Sequence, residues 1–331
     1  MQRILVTGGL GFIGSHFVQL LLDKGYYVIN VDKKTYAIRE DLEFEKHPNY
    51  ELVVSDICDL KALPRHITHV VNFAAESHVD NSIKNSSPFF RSNVEGVYTL
   101  LELVRKIEPA QRPVFIQIST DEVYGDIAEG SFTESDRLKP SNPYSATKAA
   151  ADQLVFAWAR TYNLRARLCR PSNNYGFGQR AEKLIPNTMK RAQKGQKAAV
   201  YGTGLYKREW TFVNDNCEAI LLVMENGLDG EIYNISSCEE RTNLDVVQRI
   251  LEIMGRPSDF FEYVGDRPGQ DIRYSVDTTK IQALGWKPTM TLEQYLPICK
   301  AQNEERTRKM GVGKKRSIAR KLGLEKIFYG S

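Results

Sequence analysis

Cysteine is scarce in this chain and shows no pairing pattern: Cys58, Cys169, Cys217, Cys238 and Cys299 are odd in number, scattered, and form no Cys-x-x-Cys. That argues against a disulfide framework or a thiolate zinc site and reads as reduced thiols in a cytoplasmic protein. Histidine is equally sparse. His66 and His69 lie three apart without a carboxylate or thiol companion, so no metal is expected. No apolar run is long enough to span a bilayer and no signal-peptide pattern precedes the first strand, so a cytoplasmic location without membrane contact is expected. A Pro/Ser-rich linker and internal repeats are also missing, so 331 residues at 42% hydrophobic read as one compact unit. The body of the chain lacks excess positive charge. Between Ala301 and Lys321, eight basic residues (Arg306, Arg308, Lys309, Lys314, Lys315, Arg316, Arg320 and Lys321) face only Glu304 and Glu305, a balance of +6 within a formal total of +4. The remainder is slightly acidic, which argues against a nucleic-acid partner, and the basic end reads as a solvated tail.

What is present begins at the N-terminus. The apolar run Arg3–Thr7 leads into Gly8-Gly9-Leu10-Gly11-Phe12-Ile13-Gly14, and a helical pattern follows. A strand, a glycine turn and a helix N-terminus bring backbone amides and the helix dipole to a pyrophosphate, so Gly8, Gly11, Phe12, Ile13 and Gly14 are the cofactor-binding candidates. A second run, Tyr27–Val31, ends at Asp32, whose carboxylate suits the ribose hydroxyls of NAD and repels a 2′-phosphate. Further runs at Tyr50–Val54, His69–Phe73, Val114–Ser119 and Arg165–Arg170 alternate with helical patterns near Ser15–Lys24, Pro88–Ile107 and Tyr144–Tyr162. Alternation of this kind predicts an α/β fold: a Rossmann-type doubly wound parallel sheet with ligands at the carboxyl ends of its strands. After Gly176 the pattern turns mixed, with a helix near Asn243–Met254. The expected division is a dinucleotide-binding domain over 1–176, a smaller mixed α/β substrate-binding lobe over 177–300 from which some segments return to the first domain, and the tail over 301–331.

Two motifs carry chemistry. Tyr144 and Lys148 are four apart in Tyr144-Ser145-Ala146-Thr147-Lys148, so on a helix they share a face, and an ammonium beside a phenol favours the phenolate that alcohol oxidation needs. Pro143 suits the helix start. Upstream, Ser119-Thr120-Asp121-Glu122-Val123-Tyr124-Gly125 sets two adjacent carboxyls beside a threonine, more than an oxidation alone requires.

Gly-x-x-Gly-x-x-Gly with Tyr-x-x-x-Lys resembles the extended short-chain dehydrogenase/reductases. The segments Ala75–Asp80, Ser119–Gly125, Ser172–Gly176, Glu182–Pro186, Arg208–Trp210 and Asp266–Gly269 most resemble the nucleotide-sugar 4,6-dehydratases, the dTDP-glucose branch above all. The likeness runs to about Tyr295. It implies a cytoplasmic, NAD-using lyase of deoxysugar and cell-surface polysaccharide biosynthesis. Under it, Asp56-Ile57 follow the third strand, with Asp56 either on the adenine amino group or a plain helix cap. Ala74 and Ala75 allow close approach of the dinucleotide or simply pack. Lys148 also holds the nicotinamide ribose. On the substrate side Ser77, Asn173, Lys183, Leu184, Arg208, Asn243 and Arg267 are implied, several of them around the diphosphate, with Tyr201 beside the base. Two departures are visible: Gln270 where the dTDP-glucose enzymes carry histidine, and Ile38-Arg39 where they carry Gly-Asn. These leave the nucleotide and hexose open among dTDP-glucose, UDP-N-acetylglucosamine, UDP-glucose and GDP- or CDP-linked sugars.

The implied reaction has Tyr144, with Thr120 and Lys148, take the C4 hydroxyl proton as hydride leaves C4; Glu122 take the C5 proton; and Asp121, kept protonated, assist departure of the C6 hydroxyl. A 4-epimerase or decarboxylase shares the redox pair but does not need both carboxyls. A non-catalytic cofactor-binding regulatory protein would dispense with the triad altogether. A homodimer is expected through a four-helix bundle, on the ground that Val97, Leu100, Leu101 and Val104, with Leu154, Val155, Ala157 and Trp158, exceed what helices on one side of a sheet need.

Overall fold

The computed structural model of the chain describes residues 1–40, 42–266 and 268–301, so Arg267 and the basic run 306–321 lie outside the described residues. Twelve strands are described: β1 (Arg3–Thr7), β2 (Tyr27–Asp32), β3 (Tyr50–Val54), β4 (His69–Asn72), β5 (Val114–Ile118), β6 (Ala166–Pro171), β7 (Asn173–Tyr175), β8 (Ala198–Tyr201), β9 (Lys207–Phe212), β10 (Ile232–Ile235), β11 (Glu240–Thr242) and β12 (Phe261–Val264). Seven form one sheet in the order β10-β6-β5-β4-β1-β2-β3, every pair parallel. From β3 to β6 this is the doubly wound dinucleotide-binding order, in which ligands bind where the order reverses, between β1 and β4. β10 extends the sheet, so part of the chain beyond Gly176 belongs to the same layer.

Parallel strands are covered on both faces, and alternation within β1 shows how. Ile4 and Val6 face one core with Phe17, Leu21 and Ile220, while Leu5 faces the other with Val97, Leu100, Leu101 and Phe115. The second core corrects the basis of the dimer expectation. Val97, Leu100, Leu101, Val104 and Val155 are all within 1% of complete burial inside a single chain, because they seal the sheet. The apolar residues that do face outward near these helices are Phe90, Tyr98 and Tyr162, with Trp158 in edge contact with both tyrosines.

The expected helix near Pro88–Ile107 is a helical run whose middle, Arg91–Glu95, widens to a π turn between Ser87–Phe90 and Gly96–Arg105. π turns often mark functional positions. This one carries Asn93. The helix Pro143–Tyr162 starts at its proline under a capping box formed by Asn142 and Ser145.

The smaller lobe is built on β11-β9-β7 and β12-β8. The helices Leu184–Gln193 and Asn243–Ile253 pack on it through Ala192, Val247 and Leu251 against Ala198 and Val200. Among the described residues no helix is long and apolar enough to cross a membrane, and no group of three or more His, Cys, Asp or Glu is placed to hold a metal.

Candidate active site

A cleft of about 570 Å³ opens at the carboxyl ends of β1, β2, β4 and β5 and continues against the smaller lobe. Its dinucleotide end is shaped by close backbone approach. Gly8 has φ +70°, and a Cβ there would stand 2.7 Å from Ala74 N; a Cβ on Gly14 would lie 2.3 Å from Gly8 O. Neither position admits a side chain. Gly11 caps the helix Phe12–Asp23 without a side-chain bond, so the first amides of that helix are available to an anion. Asp32 accepts from Leu10 N at 3.1 Å and Lys34 N at 2.8 Å. A carboxylate has about four lone-pair sites, so capacity remains for ribose hydroxyls.

The helix-cap reading of Asp56 holds, and the residue also faces the cleft. Its side chain caps the turn Ile57–Asp59 by accepting from Cys58 N at 3.0 Å, and it lines the cleft. Burial alone would raise its pKa, but the Cys58 amide, Lys33 at 3.6 Å and Arg91 at 3.8 Å outweigh that and hold it below its ordinary value. Ile57, Ala74 and Ala75 complete this wall. These residues fit NAD: a glycine cradle for the pyrophosphate and acidic groups for the ribose and the adenine.

Thr120, Glu122, Tyr144 and Lys148 meet at the centre of the cleft. β5 delivers the first two. Its end turns into Asp121–Tyr124, capped by Thr120, whose Oγ1 accepts from Glu122 N at 3.3 Å. The Thr120 hydroxyl also bonds the Tyr144 phenol. Asp121 differs from the rest: it does not line the cleft, is 2% exposed, and receives the Thr120 hydroxyl at 3.2 Å. Burial, then the Glu122 and Glu209 carboxylates, push its pKa well above normal, which favours its protonated form.

The phenol is not pulled down by its lysine, contrary to the sequence expectation. Burial raises the Tyr144 pKa, and the Glu122 carboxylate raises it further against the Thr120 bond. Lys148 Nζ instead donates to Ile118 O at 2.5 Å. Its own pKa is lowered to about 8 by burial, opposed by Asp152.

The substrate candidates Ser77, Asn173, Lys183, Leu184, Tyr201, Arg208 and Asn243 all line the other end of the cleft. Lys183 caps the helix Leu184–Gln193, and its Nζ is 3.5 Å from Ser77 O, at the limit of a hydrogen bond. Asn243 opens the helix Asn243–Ile253. Arg208 is 5% exposed, held by Lys207 O at 2.6 Å and Asp271 O at 2.8 Å, and stacks 4.3 Å from the Tyr274 ring centroid. Tyr274 is a lining residue that sequence reasoning missed; Asn93, buried behind the cleft wall, is a supporting residue that it also missed. The Asn93 amide bonds Glu76 N at 2.9 Å, Glu76 O at 3.0 Å and Thr147 Oγ1 at 3.0 Å, joining the cofactor wall to the helix of Tyr144. Its place in a π turn could not be read from a polar residue in a helical pattern.

Fold and site define an NAD-dependent nucleotide-sugar enzyme of the extended short-chain dehydrogenase/reductase class. The family model for GDP-mannose 4,6 dehydratase matches residues 5–298. A low-salt glycan biosynthesis protein of Haloferax volcanii is 47% identical over 302 residues, 89% of this chain and 96% of its own. The dTDP-glucose 4,6-dehydratase of Haemophilus influenzae is 44% identical, with 89% and 96% covered. A dTDP-glucose 4,6-dehydratase structure from Streptomyces venezuelae, solved with NAD, superposes with a TM-score of 0.88 at 40% identity, covering 92% of this chain and 97% of that one. This chain belongs to the nucleotide-sugar 4,6-dehydratase family, and its cofactor is NAD.

Proposed function

We propose that the chain removes water from dTDP-glucose, giving the 4-keto-6-deoxy sugar nucleotide, and that the residues of the cleft divide the work as follows. The observation that carries this reading is that Thr120, Glu122, Tyr144 and Lys148 line one cleft, with the buried Asp121 carboxyl bonded to the Thr120 hydroxyl. NAD held by the glycine cradle and Asp32 would supply the hydride acceptor and later the donor. Tyr144 takes the C4 hydroxyl proton through its Oη as C4 becomes a ketone, with Lys148 one turn further along the same helix. The ketone acidifies C5–H, and Glu122 removes that proton. Hydroxide is a poor leaving group, so the departing C6 hydroxyl needs a proton, and Asp121, outside the cleft lining, passes its own through the Thr120 hydroxyl bonded to it. Hydride then returns to C6 and a proton to C5, so water is the sole net loss.

Arg208, fixed on Tyr274 and the 271 carbonyl, presents a guanidinium to the diphosphate together with Asn173, Lys183 and Asn243; Tyr201 flanks the base and Ser77 the sugar. Arg267 is assigned to the same diphosphate by its motif alone. Residues 1–176 with the returning β10 and the helix Val213–Asn226 form the cofactor domain, and the other segments up to residue 300 form the sugar-nucleotide lobe. The enzyme works in the cytoplasm as a homodimer, its helices 87–105 and 143–162 meeting those of a second copy through Phe90, Tyr98 and Tyr162.

A solved UDP-glucuronic acid 4-epimerase from Bacillus cereus shares the fold at 26% identity, TM-score 0.83. Epimerisation has no use for Asp121 and Glu122 together. Incubating the purified protein with dTDP-, UDP-, GDP- and CDP-hexoses and following the mass decides the matter. Loss of one water from dTDP-glucose supports the proposal; an unchanged mass with inverted C4 would favour the epimerase.

A further inference from the structure

The segment 35–39, which follows β2, crosses to the segment 177–180, which follows β7. Two contacts make the crossing, and a third ties the first helix to the same segment. The Arg180 guanidinium lies over the Tyr36 ring, 5.4 Å from its centroid. The Arg39 guanidinium packs against Gly178 so closely that a Cβ there would stand 2.4 Å from Nε. His16, on the first helix, bonds Phe177 O through Nε2 at 2.8 Å. Burial lowers the His16 pKa against the bond to Phe177 O, and Arg39, whose Nη1 lies 3.2 Å from the same Nε2, lowers it further. Arg39 is secured at its other side as well, donating from its amide to Leu10 O at 2.8 Å and from Nη1 to Ser15 Oγ at 3.2 Å. Tyr36 also hydrogen-bonds Asn81, beyond the cofactor wall.

Thr35, Tyr36, Ala37 and Ile38 line the cleft, as do Gln179 and Arg180. Arg39 does not line it. It therefore acts from behind, joining the glycine-rich helix, the segment after β2 and the turn at Gly178.

We propose that Tyr36 and Arg39 form a clasp that retains NAD(H) through the catalytic cycle. Arg39 is a positioning residue and Tyr36 the wall that it and Arg180 hold in place. Its purpose rests on the dehydratase reading: hydride taken from C4 must be returned to C6 of the same molecule, so escape of the reduced cofactor between the two steps would strand a ketone. An enzyme that exchanges its cofactor every turnover would gain nothing from such a closure. Arg39 stands where the resembling enzymes carry a short, uncharged asparagine, so the guanidinium bridge to Gly178 is a property of this chain.

The test is the dissociation rate of NAD from the purified, NAD-loaded protein without any sugar nucleotide, chased with excess unlabelled NAD. Arg39→Ala removes a charged hydrogen bond and the Gly178 contact, and we expect a rate at least about tenfold faster with thermal midpoint little changed. Arg39→Lys, which keeps the charge, should recover part of the retention. If Arg39→Ala does not fold, Tyr36→Leu carries the same expectation, since Tyr36 is 50% exposed and outside the core. A rate within twofold of the parent in the folded variant overturns the clasp. Because no sugar is present, that result is independent of whether the dehydratase reading holds.

Discussion

Lys148 Nζ donates to the carbonyl oxygen of Ile118 at 2.5 Å, which ties the helix of Tyr144 to the end of the strand that delivers Thr120, Asp121 and Glu122. The redox pair and the acid–base pair are thus held in one frame by a single buried ammonium. Burial sets that ammonium's pKa at about 8, against 10.5 for a free lysine. Its charge is lost as pH rises through about 8 in the folded chain, while an unfolded chain keeps the proton to about 10.5. Two opposite slopes follow. The unfolded state binds more protons between those values, so the contribution of Lys148 to stability increases with pH across that window. Activity, which uses the charged form, should fall about tenfold per pH unit above 8. A pH profile of kcat/KM read beside denaturation midpoints checks both, and a flat alkaline limb would contradict the role.

Glu122→Gln and Tyr144→Phe should stall the reaction on opposite sides of one intermediate. Without its C5 base the enzyme still oxidises C4, so Glu122→Gln should lower product formation about 10²–10⁴-fold and accumulate enzyme-bound NADH. Tyr144→Phe should bind substrate yet show no NADH absorbance after mixing. Near-normal turnover by Glu122→Gln, or an undiminished absorbance rise in Tyr144→Phe, would reassign the residue concerned.

Much of this arrangement is legible in the chain because it depends on local order. Gly8 to Gly14, Asp32, Thr120 and Tyr144 each sit beside an apolar run or a helix signal, and the doubly wound order then brings them to one cleft. What was not legible depends on partners far apart in sequence. Leu101 reads as surplus apolar surface on a helix until the sheet it covers is known. Arg39 meets Gly178, Arg208 rests on Tyr274, and Asn93 reaches Glu76 and Thr147, none of which any spacing encodes. The Tyr144 phenol illustrates the same limit in electrostatics. The i, i+4 lysine is near in sequence, but burial and the Glu122 carboxylate decide the direction of the shift.

Asp32 is expected to set the choice of dinucleotide. Its two oxygens accept from the Leu10 and Lys34 amides, which pins a carboxylate at the end of β2, where it would repel a 2′-phosphate. Nucleotide released from the purified protein by denaturation and identified by mass should be NAD or NADH. Recovery of NADP would contradict the assignment.

The outward aromatics give the dimer a test that leaves the core intact. Tyr98 is 46% exposed, whereas Leu101 is fully buried in its own subunit, so a charge at Leu101 would unfold the chain rather than divide a dimer. Tyr98→Glu should instead yield a folded protein that sediments near 37.7 kDa, with the parent at twice that mass. A parent that sediments as a monomer at micromolar concentration would remove the proposal.

The pair Asp152 and Arg170 offers the largest stability effect. Asp152 Oδ2 accepts from Arg170 Nε at 3.0 Å, with side-chain exposures of 0% and 2%. Arg170 Nη1 donates to Tyr124 Oη at 2.7 Å, and Tyr124 donates to Asn234 Oδ1 at 2.8 Å. The network therefore links the helix of Tyr144, the turn that carries Asp121 and Glu122, and the returning strand β10. Removing one charge strands the other in the interior, which typically costs about 3–5 kcal/mol, whereas replacing both by apolar groups of similar volume is far milder. Asp152→Ala should thus be strongly destabilised in urea. Asp152→Leu combined with Arg170→Met should recover most of the loss in stability. An Asp152→Ala midpoint equal to the parent's would show that the pair is not sealed from water, and that the frame around Lys148 draws its rigidity from elsewhere.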